Sequence, residues 1–480
     1  MSEHGPVVDI AAGWTEEEGE GASHAAVTRL ASVAALGGFL FGYDSAVING
    51  ALSAIETEYQ PTAAALGLAV SSTLVGAALG AVTAGRVADR FGRLHAMWMA
   101  AVLFVVSALG SGFAFSLFSL AVFRFVGGVA VGAASVIAPT YIAEIAPARI
   151  RGRLGSLQQL AIVLGIFLAL LADWAIATAA GGSEREWLLG LEAWRWMFLS
   201  MVVPSVLYGV LALTIPESPR HLVAKGELDK AREVLRRVLG NIDLDAKVIQ
   251  IRDTLAHETK PSMRDLRGPA LGLLPIVWVG IMLSVFQQFV GINVIFYYSS
   301  VLWQAVGFNE SDALLITVIS SVVNVITTLV AIATIDRFGR RPLLLIGSVG
   351  MAVTLGTLAV IFGTAPLNPE GQPELSGAAG PIALVAANLY VFAFGMSWGP
   401  VVWVMLGEKF PNRIRAAALG VAAAAQWIAN WLISTTFPAL SDIGLGLAYG
   451  IYTASAILSF FFVVRFVSET KGKELEEMRA

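Results

Sequence analysis

The chain has 480 residues, of which 56% are hydrophobic and only 14% are charged. Because soluble domains carry about 25% charged residues, this composition excludes an ordinary soluble protein. The net charge of −4 argues against a nucleic-acid partner, and the absence of cysteine excludes disulfides, thiol catalysis and thiolate metal sites.

The first 24 residues are polar and acidic, and they include Glu16, Glu17, Glu18 and Glu20. A secretory signal peptide begins with basic residues instead, so no cleaved segment is expected. We predict that residues 1–27 form a cytoplasmic tail.

Twelve apolar runs follow, each long enough to cross a bilayer, which takes about 20 mostly apolar residues. The first six form a predicted N-terminal half over 28–215, and the spans lie near 28–50, 66–87, 95–115, 117–139, 154–179 and 194–215. The second six form a predicted C-terminal half over 271–467, near 271–304, 312–335, 342–363, 380–406, 415–438 and 443–466. The predicted fold is an all-α membrane protein with twelve transmembrane helices in two six-helix halves, followed by a cytoplasmic tail over 468–480.

Residues 216–270 interrupt the series of apolar runs. They are polar, basic and rich in helix-forming residues, as in the stretch GELDKAREVLRRVLG. We predict a short cytoplasmic helical linker between the halves, solvated and amphipathic. A membrane-surface or regulatory role is the alternative.

The Lys and Arg residues indicate the orientation, because basic residues near span ends stay on the cytoplasmic side. With both termini inside, only Arg185 and Arg195 of the 31 basic residues fall outside, and only Arg124 lies within the membrane. We therefore predict a multi-pass protein of the cell membrane with both termini in the cytoplasm.

Two motifs recur in the same order in the two halves. DRFGR occurs at Asp89–Arg93 and again at Asp336–Arg340, and AEIAPARIRG around Glu144 is echoed by GEKFPNRIRA around Glu408. The copies are 247 and 264 residues apart. Parallel repeats of this kind are typical of transporters whose substrate site lies between two halves near the bilayer midplane.

Few ionisable residues lie within the spans, and such residues mark functional sites by default. Asp44 in span 1 and Arg124 at the start of span 4 lie at a similar depth, so we predict a buried pair. An adjacent arginine favours the ionised carboxylate, whereas an apolar cavity favours the protonated form. If the pair breaks during a conformational change, Asp44 couples that change to a proton; the alternative is a static salt bridge.

The other titratable groups are less suited to carry a proton through the membrane. All five histidines fall in tails or at loop edges. Asp173, near the outer end of span 5, is predicted to be a solvated helix-end residue. Proton coupling therefore depends on Asp44.

The remaining polar residues of the spans are mostly amides and indoles. Amides both donate and accept hydrogen bonds, which suits a ligand covered in hydroxyl groups, and tryptophan offers an apolar face to a pyranose ring. The candidates are Gln159, Gln287, Gln288, Asn293, Asn324, Trp403, Gln426, Trp427 and Asn430. They predict a neutral sugar or polyol as the substrate, although any single amide could instead join two helices. Gly291 beside Asn293 predicts a break in span 7.

Long motifs from about Gly37 to Glu477 resemble the sugar porter family of the major facilitator superfamily. In chain order they are GGFLFGYDSAVING, RFVGGVAVG, the two DRFGR loops, PTYIAEIAPARIRG, PESPR, QQFVGINVIFYYS, SWGPVVWV and AAAAQWIANW. Within the family, FQQFVGINVIFYYSSVLWQAVG and FPNRIRAAALGVAAAAQWIANW are most similar to bacterial glucose permeases of the actinobacterial type. The resemblance implies alternating-access transport of glucose or a similar hexose, with no enzymatic activity and no cofactor.

The resemblance also implies roles for individual residues. Asp44 matches the proton-linked aspartate and Arg124 its partner. The sugar-contacting positions are Gln159, Gln287, Gln288, Asn293, Asn324 and Trp403, with secondary contacts from Phe41, Tyr297, Gly399, Gln426, Trp427 and Asn430. A cytoplasmic charge network that latches the halves in the outward-facing state comprises Arg86, Asp89, Arg93, Glu144, Arg151, Glu217, Arg220, Asp336, Arg340, Glu408 and Arg415. As an alternative, these charges serve only as topology signals.

Two positions depart from the family pattern. Ile166 stands where some proton-coupled members carry glutamine and facilitators often carry isoleucine. Ser468 stands where the family usually has proline, and only a local change is expected there.

Three hypotheses for the function remain: proton–glucose symport, facilitated uniport of the same sugar, and a non-transporting sugar sensor. The expected partners are the monosaccharide, protons and the bilayer, and a monomer is expected.

Overall fold

The computed structural model describes residues 24–146, 148–240, 242–257, 263–367, 373–411 and 414–470. Most of both predicted tails therefore lies outside the described residues. Twelve helical segments are long and apolar enough to cross a membrane. The predicted all-α fold with twelve spans is confirmed.

The helices fall into two sets of six spans. In the N-terminal half, span 1 comprises α1 (His24–Ala46) and α2 (Ile48–Tyr59), span 2 is α3 (Ala63–Phe91), span 3 is α4 (Arg93–Gly112), span 4 is α5 (Leu117–Ile145), span 5 is α6 (Ala148–Ala180), and span 6 comprises α7 (Ala193–Ser200) and α8 (Val202–Ala212). In the C-terminal half, span 7 comprises α12 (Pro275–Phe289) and α13 (Ile292–Ala305), span 8 is α14 (Glu310–Phe338), span 9 is α15 (Arg340–Thr364), span 10 comprises α16 (Ala379–Gly395) and α17 (Trp398–Lys409), span 11 is α18 (Arg415–Ile443), and span 12 is α19 (Leu445–Phe466).

The segment between the halves is helical, as its composition predicts. It contains α9 (Pro219–Ala224), α10 (Leu228–Leu239) and α11 (Leu244–His257). Successive spans run in opposite directions, so this linker, both DRFGR motifs and both ends of the described chain share one side of the bundle. We call it the linker side, and the opposite side the far side.

Spans 2 and 8 begin and end in the same way, which shows the duplication in three dimensions. On the far side Thr62 and Asn309 cap them, because each side chain accepts a hydrogen bond from a backbone N–H of the first turn. On the linker side both helices continue through the charged motif beyond the predicted boundaries. They end where Gly92 and Gly339 take positive φ angles of 100° and 90°, a conformation that favours glycine.

Spans 2 and 4 approach each other through glycine, which makes the N-terminal half a close-packed unit. A Cβ atom added at Gly76 or Gly80 would lie 2.1 Å from a carbonyl oxygen of span 4, that of Phe125 or Val129. One added at Gly128 would lie 2.0 Å from the carbonyl oxygen of Thr73. Small residues permit this backbone contact in membranes, where lipid offers no hydrophobic driving force between helices.

Span 7 is broken at Gly291, as the sequence predicts. Gly291 adopts a left-handed conformation with φ 83° and ψ 20° between α12 and α13. Breaks in spans 1, 6 and 10 were not predicted; the two helices of span 1 meet at Val47 and those of span 10 at Met396 and Ser397. Interrupted helices are tolerated in a membrane where the surrounding protein satisfies their backbone groups.

We expect Gly291→Ala to lower the stability of the protein more than Gly307→Ala does. Both positions have positive φ, so both variants bear a backbone cost of about 1 kcal/mol. At Gly291 a Cβ would also lie 2.7 Å from the ring of Tyr452, whereas nothing lies within 4 Å at Gly307. Overpacking of this kind adds roughly 1–3 kcal/mol. Thermal unfolding in detergent measures the difference, and equal melting temperatures would contradict the role of Tyr452.

Candidate substrate site and gates

Three of the predicted sugar-contacting amides form one cluster at the break in span 7. The Gln287 amide donates to the carbonyl oxygens of Trp398 at 2.8 Å and Gly399 at 2.9 Å, which anchors it to the break in span 10. Gln288 donates to the Gln287 amide oxygen at 3.4 Å, and Asn293 donates to Gln288. The two interrupted helices therefore support each other through the amides that face the candidate site.

Aromatic and hydroxyl groups extend the candidate site towards the N-terminal half. The rings of Phe41 in span 1 and Trp427 in span 11 have centroids 6.0 Å apart, a contact between the halves. Tyr297 of span 7 lines one small space together with Ser45 of span 1 and Arg124 of span 4. A sugar between the halves would meet rings from both sides at this depth.

The other predicted contact residues differ in how deeply they are buried. Asn324 is buried in span 8, and Gln159 in span 5 is half-buried. Gln426 is half-buried, and its buried amide oxygen has no hydrogen-bond partner among the residues that the structure describes. Trp403 is 42% exposed, which leaves its indole face open to a ligand. Neither Gln159 nor Trp403 is hydrogen-bonded to the amide cluster in the described part of the chain.

Gln158 is a candidate that the sequence analysis missed. Its side chain is buried, and neither amide atom has a hydrogen-bond partner among the described residues. It lies against span 1, where a Cβ at Gly38 would come within 2.7 Å of the Gln158 amide. A buried polar group without a partner is costly. The signal was available, since Gln158 immediately precedes the predicted contact residue Gln159.

The structure brings Asp44 and Arg124 together in the interior of the N-terminal half. The Arg124 Nη1 lies 3.3 Å from Asp44 Oδ2, and it donates to the Asp44 backbone oxygen at 2.6 Å. Both side chains are buried, yet in the described structure neither Asp44 carboxylate oxygen has a hydrogen-bond partner. Gly127 leaves the space for this carboxylate, because a Cβ there would lie 2.8 Å from Asp44 Oδ1. Arg124 is therefore the one charged partner that the described residues show for the Asp44 carboxylate.

The prediction for Asp173 is wrong. Asp173 is fully buried, and its Oδ2 accepts a hydrogen bond from the backbone N–H of Gly50 at 3.2 Å. The sequence places it near a helix end, but α2 packs over that end and excludes solvent. The break that starts α2 inside the bundle was not predicted, so its neighbour in span 5 could not be placed.

Asn49 joins the two halves on the far side and was also missed. Its side-chain amide donates to the Phe296 carbonyl oxygen and to the Ser299 hydroxyl, both at 3.1 Å. Its amide oxygen accepts from the Ser300 N–H at 3.3 Å, and its backbone oxygen accepts from the Ser300 hydroxyl at 2.5 Å. We call these bonds between spans 1 and 7 the Asn49 clasp. The residue lies in the quoted motif GGFLFGYDSAVING, beyond Asp44.

Further contacts close the far side around the clasp. The Thr435 hydroxyl of span 11 donates to the Ser71 hydroxyl of span 2 at 2.7 Å. Gly67 permits this approach, since a Cβ there would lie 2.2 Å from the Thr435 carbonyl oxygen. The Ser183 N–H donates to the Glu310 carboxylate at 3.1 Å. The halves are therefore joined on the far side by three pairs of elements.

On the linker side of the N-terminal half, Arg93 is the centre of a charge cluster. Its guanidinium binds Glu144 in bidentate fashion at 3.1 and 2.9 Å, the strongest geometry for such a pair. The Glu217 carboxylate accepts from the backbone N–H groups of Arg93 and Leu94 at 2.9 and 3.2 Å. These N–H groups start span 3, where a negative charge is favoured. Ser218 completes the cluster by donating to Glu144.

The C-terminal half contains the same cluster. Arg340 binds Glu408 in bidentate fashion at 3.0 and 2.6 Å. The Glu469 carboxylate accepts from the N–H groups of Arg340 and Arg341 at 3.0 and 2.9 Å, and the Thr470 hydroxyl donates to Glu408 at 2.6 Å. The sequence analysis missed Glu469. The signal was the pair Glu469–Thr470 after span 12, which repeats Glu217–Ser218 after span 6.

His221 adjoins the N-terminal cluster. Burial lowers the pKa of its imidazole below the ordinary value; Glu217 opposes this shift and Arg93 reinforces it. The His221 Nδ1 lies 3.4 Å from Arg93 Nη1, so the neutral ring can accept a hydrogen bond from the guanidinium.

The remaining members of the predicted charge network differ in their placement. Asp89 is exposed and lies 3.3 Å from the Arg93 guanidinium. Arg220 lines a cavity of about 460 Å³ between the linker side of span 4 and the linker helices. Arg86 is exposed and forms no ion pair with any described residue. The side chains of Arg151, Asp336 and Arg415 lie outside the described residues. The Ser468 hydroxyl accepts from Lys409 at 2.9 Å, a local adjustment as expected.

Together, the fold and the candidate site define the class of protein as a transporter. It has two six-span halves that repeat in the same order, polar candidate residues between them, and hydrogen bonds that join the halves on the far side. The chain belongs to the sugar transporter family, because the family model described as "Sugar (and other) transporter" matches residues 30–480. This confirms the resemblance found in the sequence and identifies a transporter rather than an enzyme.

Individual relatives agree with this assignment. The chain is 60% identical over 454 residues to a glucose transport protein of Synechocystis sp., a match that covers 94% of this chain and 97% of the relative. It is 40% identical to the D-xylose-proton symporter of Escherichia coli, covering 93% and 94%. The inward-open structure of the xylose transporter of E. coli is similar with a TM-score of 0.80 at 38% identity, covering 94% of this chain and 99% of that chain.

We expect Glu217→Gln and Glu469→Gln to destabilise the protein by similar amounts. Each substitution removes a negative charge from a helix start and turns an amide N–H₂ towards at least one of the three backbone N–H groups that the carboxylate accepts from, which costs roughly 1–3 kcal/mol. Thermal unfolding in detergent measures both. Glu233→Gln is the control, since Glu233 forms only an exposed pair with Arg237 within the linker. If Glu469→Gln behaved like Glu233→Gln, the two clusters would not be equivalent.

Proposed function

We propose that this chain imports glucose or a similar hexose by proton symport through alternating access. The observation that carries the proposal is the buried pair of Asp44 and Arg124, whose arginine lines a small space together with Tyr297 of the C-terminal half. The name of one relative, a glucose transport protein, supports the hexose substrate, and that of another, a D-xylose-proton symporter, supports the coupling to protons.

The chemistry of the site supports a neutral sugar. Gln287, Gln288 and Asn293 offer donors and acceptors for hydroxyl groups, and Trp403 and Trp427 offer apolar faces for the ring. Gln159, Asn324, Gln426 and Asn430 are assigned as further polar contacts, with Phe41, Tyr297 and Gly399 beside them. Glucose is preferred to a pentose because the relative with 60% identity is a glucose transport protein.

The linker side is assigned to the cytoplasm, with both termini. The distribution of Lys and Arg supports this orientation, and the protein is then a multi-pass protein of the cell membrane. With this assignment the closed far side faces outwards, so the structure corresponds to a state in which the substrate site is shut from the outside. We assign the protein as a monomer, because one continuous hydrophobic core joins the two halves of a single chain.

The charge clusters fit a role in the conformational cycle. Arg93–Glu144 and Arg340–Glu408 each lie within one half, so they brace the cytoplasmic ends of the halves as rigid units. In an outward-facing state the same ends approach each other. The family resemblance assigns Arg151, Asp336 and Arg415 to the same network, which latches the halves in that state.

The test of the proposal is glucose uptake into proteoliposomes under an imposed inward proton gradient, repeated after an ionophore has collapsed the gradient. Accumulation above the outside concentration that requires the gradient establishes symport. Equilibration alone in both conditions would establish a uniporter. No flux of glucose would overturn the substrate assignment.

Uniport is the second candidate, and one residue favours it. Ile166 replaces the glutamine that some proton-coupled members carry seven residues after the position of Gln159. Ile166 is half-buried among apolar side chains and offers no polar group to a sugar or a water chain. The proteoliposome experiment separates the two candidates directly.

We expect Asp44→Asn to abolish uphill accumulation of glucose while sparing counterflow exchange. An amide cannot release a proton, but it fits the same space beside Arg124. Counterflow requires only that loaded carriers change conformation, so it reports intact folding and sugar binding. Asp312→Asn is the control, because Asp312 is an exposed carboxylate on the far side that pairs with Asn309. Accumulation that survives Asp44→Asn would remove Asp44 from the coupling mechanism.

We expect Gln288→Ala to weaken glucose binding by about fivefold to tenfold, because one hydrogen bond to the sugar is lost and Asn293 loses its acceptor. Trp403→Ala is expected to weaken binding through the loss of the ring face. Competition of unlabelled glucose against a radiolabelled sugar measures both. Gln250→Ala in the linker is the matched control, and competition that equals the control would exclude these residues from the site.

A further inference from the structure

The outer helix of span 1 begins inside the bundle without a cap of its own. The residue before α2 is Val47, whose apolar side chain makes no capping hydrogen bond. The first N–H groups of a helix lack acceptors within the helix, and an unpaired group of this kind is costly in a membrane. An acceptor from another element is therefore required near this helix start.

Asp173 of span 5 supplies that acceptor. Its Oδ2 accepts from the N–H of Gly50, the third residue of α2, at 3.2 Å. The carboxylate forms no ion pair with any described residue, and its Oδ1 has no described hydrogen-bond partner. Gly50 is needed for this contact, since a Cβ there would lie 2.4 Å from the Asp173 Cβ.

The contact with Asp173 and the Asn49 clasp lie in the same helical turn. Gly50 is held by span 5, and the adjacent Asn49 holds span 7. A displacement of this turn relative to span 5 would move the Asn49 side chain away from Phe296 and Ser300. Span 5 thus controls a contact between the halves that it does not itself make.

We propose that Asp173 is a positioning residue of the outer gate, which fixes the first turn of α2 so that Asn49 can close the gate against span 7. The proposal depends on the alternating-access function proposed above. Asp173 acts through Gly50 and Asn49, and it does not contact the sugar.

The absence of cysteine from the chain gives the test a clean background. Ser53→Cys places a reporter at the outer gate, where Ser53 donates to Gln304 of span 7 at 3.5 Å. A membrane-impermeant maleimide, added from outside without sugar, measures how often the gate opens. We expect Asp173→Leu to raise the labelling rate about fivefold, the shift that follows from loss of one hydrogen bond. Asp173→Asn retains an acceptor oxygen and is expected to keep the parent rate.

Two controls separate positioning from a general loss of stability. Asp312→Leu removes an exposed far-side carboxylate and is expected to leave labelling unchanged. In an Asn49→Ala background the effect of Asp173→Leu is expected to disappear, because both residues act on one contact. Asp173→Ala, which offers no acceptor to the Gly50 N–H, replaces Asp173→Leu if the leucine variant does not fold.

Each outcome decides the proposal. Labelling of Asp173→Leu or Asp173→Ala at the parent rate would overturn it, as would a full effect in the Asn49→Ala background. Labelling needs no sugar flux, so faster labelling in a chain that transports no glucose would support the positioning role while the proposed function failed. Intact glucose symport with unchanged labelling would overturn the positioning role alone.

Discussion

In a bilayer, a buried polar group can form hydrogen bonds or ion pairs only with other groups of the protein. The polar contacts of this chain, within and between its halves, follow from that constraint. Within each half the constraint is met by close packing and by paired charges. Between the halves it is met by a small number of bonds, such as those that Asn49 makes with span 7. Each such bond must be exchanged for another partner when the halves separate. The bonds between the halves therefore act as gates.

The duplication explains why the linker side is so regular. In both halves an arginine at the start of a span binds a glutamate at the end of the next, and a second glutamate covers the backbone donors of that start. The glycines that precede Arg93 and Arg340 end one helix and leave room for that second carboxylate. A Cβ at Gly92 would lie 2.2 Å from Glu217, and one at Gly339 would lie 2.8 Å from Glu469. The DRFGR motif thus encodes a junction between two helices as well as a set of charges.

Features that depend on local sequence patterns were predictable from the sequence. Contacts between helices that depend on an unpredicted helix break were not. Twelve spans, the helical linker and the break at Gly291 follow from apolar runs, composition and a glycine. The pairing of Asp44 with Arg124 followed from depth alone. Asp173 was misplaced because its environment depends on where α2 begins, and no glycine or proline marks that position at Val47. Glu469 was missed for a different reason: its motif is only two residues long, and it follows the last span, outside the longer repeated motifs.

The two halves divide the chemistry unequally, and this asymmetry bears on coupling. The N-terminal half contains the buried carboxylates Asp44 and Asp173, whereas the amide cluster of Gln287, Gln288 and Asn293 belongs to the C-terminal half. The halves meet where span 1 faces span 7, through the Asn49 clasp and the approach of Tyr297 to Ser45. Asp44 is followed directly by Ser45, which lines one small space with Arg124 and Tyr297. In the proposed symport mechanism, coupling between proton and sugar requires no long pathway, because the candidate residues for both lie along the interface between spans 1 and 7.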